Sequence, residues 1–530
     1  MSEAAMLNET TSDQCSAKIG TKGRGPDGNH YDVLIIGAGL SGIGAAYHLQ
    51  QECPTKSYAI LEGRAAIGGT WDLFRYPGIR SDSDMFTLGY RFFPWRAAKA
   101  IADGPSIRKY VIETAATYGI DKQIIFNQQV TDYAWSSQDQ LWTVTVGEGA
   151  DLVRYTCNFV WNCAGYYRYS DGYTPDFPGA GDFKGQIVHP QKWPEGLDYK
   201  GKKVVVIGSG ATAVTLIPSM ADETAHITML QRSPTYMFAM PGTSPVAKFL
   251  GLFLPKSTVY NIMRWLRIRL QQFVFKRARA KPKQMRDTLL KRTRRRLAPG
   301  YDVEKHFSPT YNPWDQRICL VPDDDLFKAI NDGKASVVTD HIETFTPTGI
   351  RLKSGQELEA DIIITATGLT LQSLGGANVA VDGRAIRIGD CLTYKGVMLE
   401  GVPNMAMVFG YTNASWTLRA DLVSDYVCRV VNHLDTAGAS SAVPVCNEPD
   451  MPRMPFLDFS SGYVTRAAEI LPKQGRAPWC HPQDYFLDKK RLQRDPIDDG
   501  ALQFTDGASA MANAGGESGR SEAVTSVAAE

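Results

Sequence analysis

The stretch YDVLIIGAGLSGIGAAYHLQ, residues 31 to 50, decides the architecture. A short apolar run meets three glycines and passes into an apolar-faced helix, which is the strand, turn and helix that open a βαβ unit. Gly37, Gly39 and Gly42 satisfy G-x-G-x-x-G. The first permits a tight turn, the second lets a pyrophosphate approach the backbone, and the third packs helix on strand, with the helix N-terminus facing the phosphates. The next strand, SYAILE, ends in Glu62, twenty residues past Gly42. A carboxylate there can accept the ribose hydroxyls and would repel a 2′-phosphate, so this unit is expected to hold FAD.

The plan returns at residues 202 to 218, KKVVVIGSGATAVTLIP, where Gly208, Gly210 and Ala213 give G-x-G-x-x-A and Ser209, Ala211, Thr212 and Val214 complete the turn and helix start. The following strand, HITMLQRSP, ends in Arg232 and Ser233 instead of an acid. A guanidinium and a hydroxyl suit a 2′-phosphate through charge-assisted hydrogen bonds, so this unit is read as the NADPH site. Two such units with opposite ribose readers imply electron transfer from NADPH to FAD. VWNCAG (160 to 165) and DIIITATG (361 to 368) are apolar strands ending in small residues, and they mark the exit from the first unit and the return to it.

The fold class is therefore α/β, with two Rossmann-like dinucleotide-binding domains, for FAD and NADP, and a helical insertion. The FAD-binding domain is expected at 30–165 and 370–500, and the NADP-binding domain at 166–369 with a helical arm at about 240–310. Residues 1–29 and 501–530 are polar or rich in small residues without period and are read as disordered tails. A chain of 530 residues with 43% hydrophobic and 21% charged content is long enough for several cores. A net charge of +1 gives no overall attraction to nucleic acid or membrane. Nine cysteines without a C-x-x-C pair, and no signal-peptide pattern, point to a reduced cytoplasmic compartment and exclude a disulfide reductase. No metal site is expected.

The arm is the one strongly basic segment: from Arg264 to Arg296 there are fourteen Lys/Arg against one acid, Asp287. Val259, Met263, Leu266, Leu270 and Phe273 recur at helical spacing. Such a segment, 259–296, can contact a membrane surface peripherally, but an apolar stripe docked on the protein's own core is the preferred expectation. Nucleic-acid binding is not expected, since no recognition module surrounds the patch.

Phe183, Gly185, His189, Trp193 and Pro194 in FKGQIVHPQKWP match all five fixed positions of F-x-G-x-x-x-H-x-x-x-W-P. The chain thereby resembles the type I Baeyer-Villiger monooxygenases of the flavin-containing monooxygenase superfamily, from Tyr31 to about Asp499, and is most similar to their ethionamide-activating FAD-containing branch. The resemblance implies that GGTWDLFRYPGIRSDSD (68 to 84) covers the flavin, with Thr70, Trp71, Asp72, Leu73 and Asp82 lining FAD and Arg80 and Ser81 facing NADP. Ser41 and Val130 match further FAD-contacting positions. His189 is read as bracing the domain hinge, and Asn413 and Trp416 as facing the substrate.

Arg317, in NPWDQRICLVP, matches the family's active-site arginine, and Asp82 is expected to orient it or balance its charge. The implied reaction uses NADPH and O2 to insert one oxygen atom beside a ketone carbonyl through a C4a-peroxyflavin, giving an ester or lactone. A guanidinium stays charged at any working pH and can stabilise the anions of that path without delivering a proton. A small lipophilic ketone is the expected substrate, with sulfide or thioamide S-oxygenation alongside. Oxidation of amines or sulfides only is the alternative. Where the family usually has a lysine before this arginine, the chain has Gln316, which leaves NADPH preference to Arg232 and Ser233.

Overall fold

The computed structural model describes residues 28–506. Two sheets organise it. In the first, His30–Ile36 lies between Tyr58–Leu61 and Val153–Asn162, parallel to both. Its last four residues, Val33 to Ile36, are buried on both faces, as a parallel strand covered by helices must be. The antiparallel strands Leu141–Val146 and Val130–Ser136 extend this sheet. Later chain returns to it: Asn378–Val381 pairs with Val130–Ser136, and Met405–Met407 with Val153–Asn162. The second sheet is wholly parallel, in the order Ala335–Thr339, His226–Gln231, Lys203–Ile207, Ile362–Thr365, Gln186–Val188.

The chain leaves the first sheet by Tyr167–Gly172 and returns by Leu369–Leu371, and these two strands pair antiparallel. The Phe183–Pro194 segment clamps that crossing. Gln191 Nε2 donates to the carbonyls of Arg168 and Tyr169 at 2.8 and 3.1 Å. His189 Nδ1 accepts the Gln191 N–H, so Nε2 carries the proton toward the Gly368 carbonyl, 3.3 Å away. Burial lowers the His189 pKa and keeps the ring neutral, as this pattern requires. The ring lies so close to Gly172 that a Cβ there would sit 1.9 Å from Cε1. The hinge role read for His189 thus has a contact set behind it.

The arm comprises the helices Pro245–Leu250, Lys256–Ala280 and Pro282–Arg294. Here the docked-stripe expectation needs correcting. Val259 and Met263 are buried, but Leu266, Leu270 and Phe273 are exposed. The stripe is a single face of the helix, and the protein covers only its first turns: Val259 and Met263 pack with Phe86 and Ala100, whereas Leu266, Leu270 and Phe273 lie on later turns. The C-terminal boundary also moves: Leu502–Thr505 forms a strand with Ser441–Pro444 and Leu502 is buried, so ordered structure runs past 500. The rest of the expected tails, 1–27 and 507–530, lies outside the described residues.

Candidate active site

A single cavity of about 1470 Å³ opens between the two sheets, and both glycine turns line it. That exceeds the roughly 300–1,000 Å³ of a site for one small molecule, leaving room for two cofactors. Gly37, Gly39, Ser41, Glu62, Thr70, Trp71 and Val130 face it from the first unit, and Gly208, Ser209, Gly210, Ala211, Thr212, Arg232 and Ser233 from the second. Arg80, Ser81, Asp82 and Arg317 line it as well. Gly42, Asp72, Leu73, Ala213 and Val214 do not.

Each of those five has another occupation. A Cβ on Gly42 would lie 1.8 Å from the Gly37 carbonyl oxygen, so this glycine is the seat of the turn. Ala213 and Val214 are buried in the core of the second sheet, against which Leu73 also packs. Asp72 is buried among Arg64, Arg75 and Arg108, with Arg108 Nε at 2.8 Å, and its carboxylate is consumed by those guanidinia.

The first turn fits FAD. Gly37 holds φ +98°, open to glycine alone, and a Cβ on Gly39 would make no more than ordinary contact, 3.6 Å from the Gly69 Cα, so the protein itself leaves that side of the backbone uncrowded. That backbone is bare enough for a pyrophosphate. Glu62 is buried at its rim, Oε2 accepting the Ala38 N–H at 2.6 Å and Oε1 the Arg64 N–H at 2.9 Å. A carboxylate has about four acceptor positions, so two remain for a ribose diol. Burial raises the Glu62 pKa against these hydrogen bonds and the Arg64 charge.

The second turn fits a phosphorylated coenzyme. Arg80 pairs through Nη1 with Asp325, while its buried Nε and Nη2 have no hydrogen-bond partner among the described residues, as donors awaiting an anion would. Arg232 and Ser233 are exposed on the cavity rim, and Arg232 makes no ion pair among the described residues. Sequence reasoning missed two further side chains there that can donate to a phosphate. Asp340 N–H bonds to the Gln231 carbonyl at 3.0 Å and Lys353 N–H to that of His341 at 2.9 Å. These bonds gather Arg232, His341 and Lys353 at one end of the sheet, all lining the cavity. The Asp340 carboxylate is turned onto the N–H groups of His341 and Ser354.

Arg317 precedes the strand Cys319–Pro322, which pairs with Met237–Met240. Its approach is fixed from several sides. Asp315 pairs with Arg279 at 3.0 Å, its side chain accepts the Asn312 N–H, and its carbonyl accepts the Ser460 N–H at 3.0 Å. Trp314 takes φ +73°, a strained value for a bulky residue, just before the arginine. Asp315 and Asp323 are both engaged elsewhere, the latter with the Gly242 N–H, so neither holds Arg317 as a surface pair.

Around the guanidinium stand Tyr166, Tyr463, Tyr167 and Asp82. Burial opposes the Arg317 charge, but these neighbours outweigh it and raise the pKa above the ordinary arginine value. Among these neighbours Asp82 is the one carboxylate, and so the countercharge to the guanidinium. It faces the cavity yet is walled by protein, and desolvation raises its pKa against the pull of Arg317 and Arg80. Trp416 stacks on Tyr166 at 5.1 Å and donates from Nε1 to Ser41 Oγ at 2.7 Å, so it lines the cavity and ties the flavin side together. Asn413 is buried and bonds to the Gln483 carbonyl instead. The three tyrosines were not read from the sequence, although Tyr166 and Tyr167 follow the exit strand directly.

With this geometry in view, a family model described as flavin-binding monooxygenase-like matches residues 100–375. The chain belongs to that family. An NAD(P)-binding Rossmann-like model matches residues 35–102. The FAD-containing monooxygenase EthA of Mycolicibacterium smegmatis is 56% identical over 478 residues, 90% of this chain and 97% of that protein. The probable FAD-binding monooxygenase AlmA of Acinetobacter baylyi is 47% identical over 479 residues, 90% of this chain and 96% of that one. Among solved structures, an oxidized steroid monooxygenase bound to NADP aligns with TM-score 0.72 at 20% identity, covering 90% of this chain and 100% of that one. Open cyclohexanone monooxygenase aligns at 0.71 and 19%, with the same coverage. The chain is thus a flavin-binding monooxygenase with an NAD(P)-binding Rossmann-like unit on an α/β fold, as the Phe183–Pro194 resemblance implied.

Proposed function

We propose that the enzyme oxidises lipophilic ketones to esters or lactones: ketone, NADPH, H+ and O2 give ester or lactone, NADP+ and water. The observation that carries this is Arg317, a permanently charged guanidinium set with Asp82 in an aromatic-walled cavity between two nucleotide turns. Bound FAD, reduced by NADPH, supplies the activated oxygen. Arg317 holds its donors where negative charge develops on the carbonyl oxygen, and it cannot quench that charge by giving up a proton. Asp82 orients the guanidinium. Tyr166, Tyr167 and Tyr463 exclude water and present ring faces to an apolar substrate. Glu62 binds the FAD ribose, and Arg232, Ser233, His341 and Lys353 share the 2′-phosphate of NADPH.

Labelled dioxygen with a panel of linear, cyclic and aromatic ketones tests this reading, and one labelled oxygen per ester is expected. Ketones that drive NADPH consumption but yield only hydrogen peroxide, while sulfides become labelled, would hand the site to heteroatom oxygenation alone. Arg317→Ala should leave FAD bound and reducible by NADPH while ester formation falls by about a hundredfold or more, the scale of a lost oxyanion donor. Retained ester synthesis would remove Arg317 from the chemistry.

The cysteines among the described residues are all free, which suits a reducing cytoplasm. No helix among the described residues is long and apolar enough to cross a membrane. Peripheral contact through the basic arm fits its exposed apolar face.

A further inference from the structure

The arm carries more exposed hydrocarbon than a docked helix needs. We infer that its outer face is a docking surface for an anionic lipid membrane. This deepens the peripheral contact proposed above and rests on it only for the choice of a lipid partner. The inner face of Lys256–Ala280 is already satisfied. Val259, Tyr260 and Met263 are buried against Phe86 and Ala100. Arg264 donates to the carbonyls of Phe86 and Gly89 at 3.0 and 2.7 Å and pairs with Asp421 at 3.0 Å. The helix therefore cannot roll to cover its other side without breaking a buried ion pair.

On the solvent side of the later turns Trp265, Leu266, Leu270 and Phe273 share one face, the last three continuing the line of Val259 and Met263 past the cover they have. Trp265 is 55% exposed and Phe273 62%, and at the turn leading into the helix Phe249, Leu252 and Phe253 reach 62%, 75% and 73%. The Phe249 and Phe253 rings stand 5.5 Å apart and make one apolar tip. Single exposed apolar residues are ordinary on a soluble protein, whereas such a cluster at the tip, with a second apolar group along the same arm, marks a partner.

Charge selects which partner. Arg269 lies over the Trp265 ring at 4.2 Å and reaches Phe486 at 5.6 Å. Neither Arg269 nor Arg277, on the same face, makes an ion pair among the described residues. Aromatic side chains interleaved with free guanidinia match the boundary of an anionic bilayer, where rings sit at headgroup depth and cations meet phosphates. A second copy of the chain would set one basic arm against another, and like charge opposes that contact.

The test uses full-length FAD-loaded protein sedimented with phosphatidylcholine vesicles that carry or lack phosphatidylglycerol. Wild type should pellet with the anionic vesicles and be released by salt. The Phe249→Ser, Leu252→Ser, Phe253→Ser triple variant should bind at least about tenfold more weakly. Arg269→Glu with Arg277→Glu should weaken binding only where phosphatidylglycerol is present. Ketone-dependent NADPH oxidation in vesicle-free buffer is read on the same proteins. Its retention shows that the variants fold, and it separates failure of lipid binding from failure of the oxygenation reading. Wild type that stays in the supernatant with both vesicles, or a triple variant that pellets like wild type, overturns the inference. So does a dimer in sedimentation velocity that the triple variant splits while no vesicle binding is seen.

Discussion

The two glycine turns share a backbone plan and differ at their rims. Glu62 is buried, with each carboxylate oxygen already on a backbone N–H. Arg232 is exposed and makes no ion pair among the described residues, and Lys353 beside it is exposed as well. A rim that is pre-ordered and dry costs little to complete and releases its ligand slowly. A rim of solvated, free side chains must order itself at every binding event, which suits a coenzyme that arrives, reduces and leaves. The difference predicts a resident FAD and an exchanging NADPH from side-chain geometry alone.

The sharpest way to break this comparison is to exchange the third residue of the two turns. Gly42→Ala would drive a methyl to 1.8 Å from a backbone oxygen, a clash that only a shift of the turn relieves. The purified variant should be colourless or insoluble, and a yellow, soluble Gly42→Ala protein would refute the account of the turn. The second turn already carries Ala213 there, buried in its core. Ala213→Gly should cost about 1 kcal/mol of stability and leave FAD content unchanged.

A smaller effect belongs to the second rim. Hydrogen bonds to charged groups are worth about 1.5–3 kcal/mol, so Arg232→Ala should raise the Kd for NADP+ by roughly ten- to a hundredfold. Binding of NAD+ should hardly change. Lys353→Ala should act in the same sense by less, because an exposed lysine is held loosely. Calorimetric titration with both nucleotides decides it, and equal losses for NAD+ would place these cations away from the 2′-phosphate.

How much of this was legible follows from what each feature depends on. Gly37, Gly42 and Glu62 could be read because local backbone geometry fixes their spacing. The two-sheet plan followed, as did the crossing strands. Asp72 was read as lining FAD, but Arg64, Arg75 and Arg108 converge on it; only the Arg75 contact is an i,i+3 pattern, and Arg108 arrives from a separate helix. The tyrosines around Arg317 and the grouping of His341 and Lys353 with Arg232 likewise arise from segments far apart in sequence. In the arm, spacing correctly said that Val259 through Phe273 was amphipathic. It could not say that Phe86 and Ala100, from far along the chain, would cover the stripe only at Val259 and Met263 and leave Leu266, Leu270 and Phe273 outside.

The helices behind the two turns differ too, and this gives the smallest expected effect. Leu40–Glu52 buries His48, with Nδ1 3.1 Å from Asp425 and Nε2 in charge contact with Asp421 at 3.7 Å. Ala211–Met220 buries no ionisable side chain. Burial alone would lower the His48 pKa, but the two carboxylates prevail and raise it from 6.5 to about 9. A histidine with a raised folded pKa stabilises fully below its unfolded value, and the contribution fades as pH climbs through the folded one. The helix of the FAD unit should therefore be held by about 2–3 kcal/mol at pH 6.5 and released by pH 9 or above. The unfolding midpoint of the holoenzyme should fall by a few degrees across that window, with loss of flavin marking the transition. His48→Gln should start lower and remain flatter, and a variant curve parallel to wild type would show that the alkaline loss arises elsewhere.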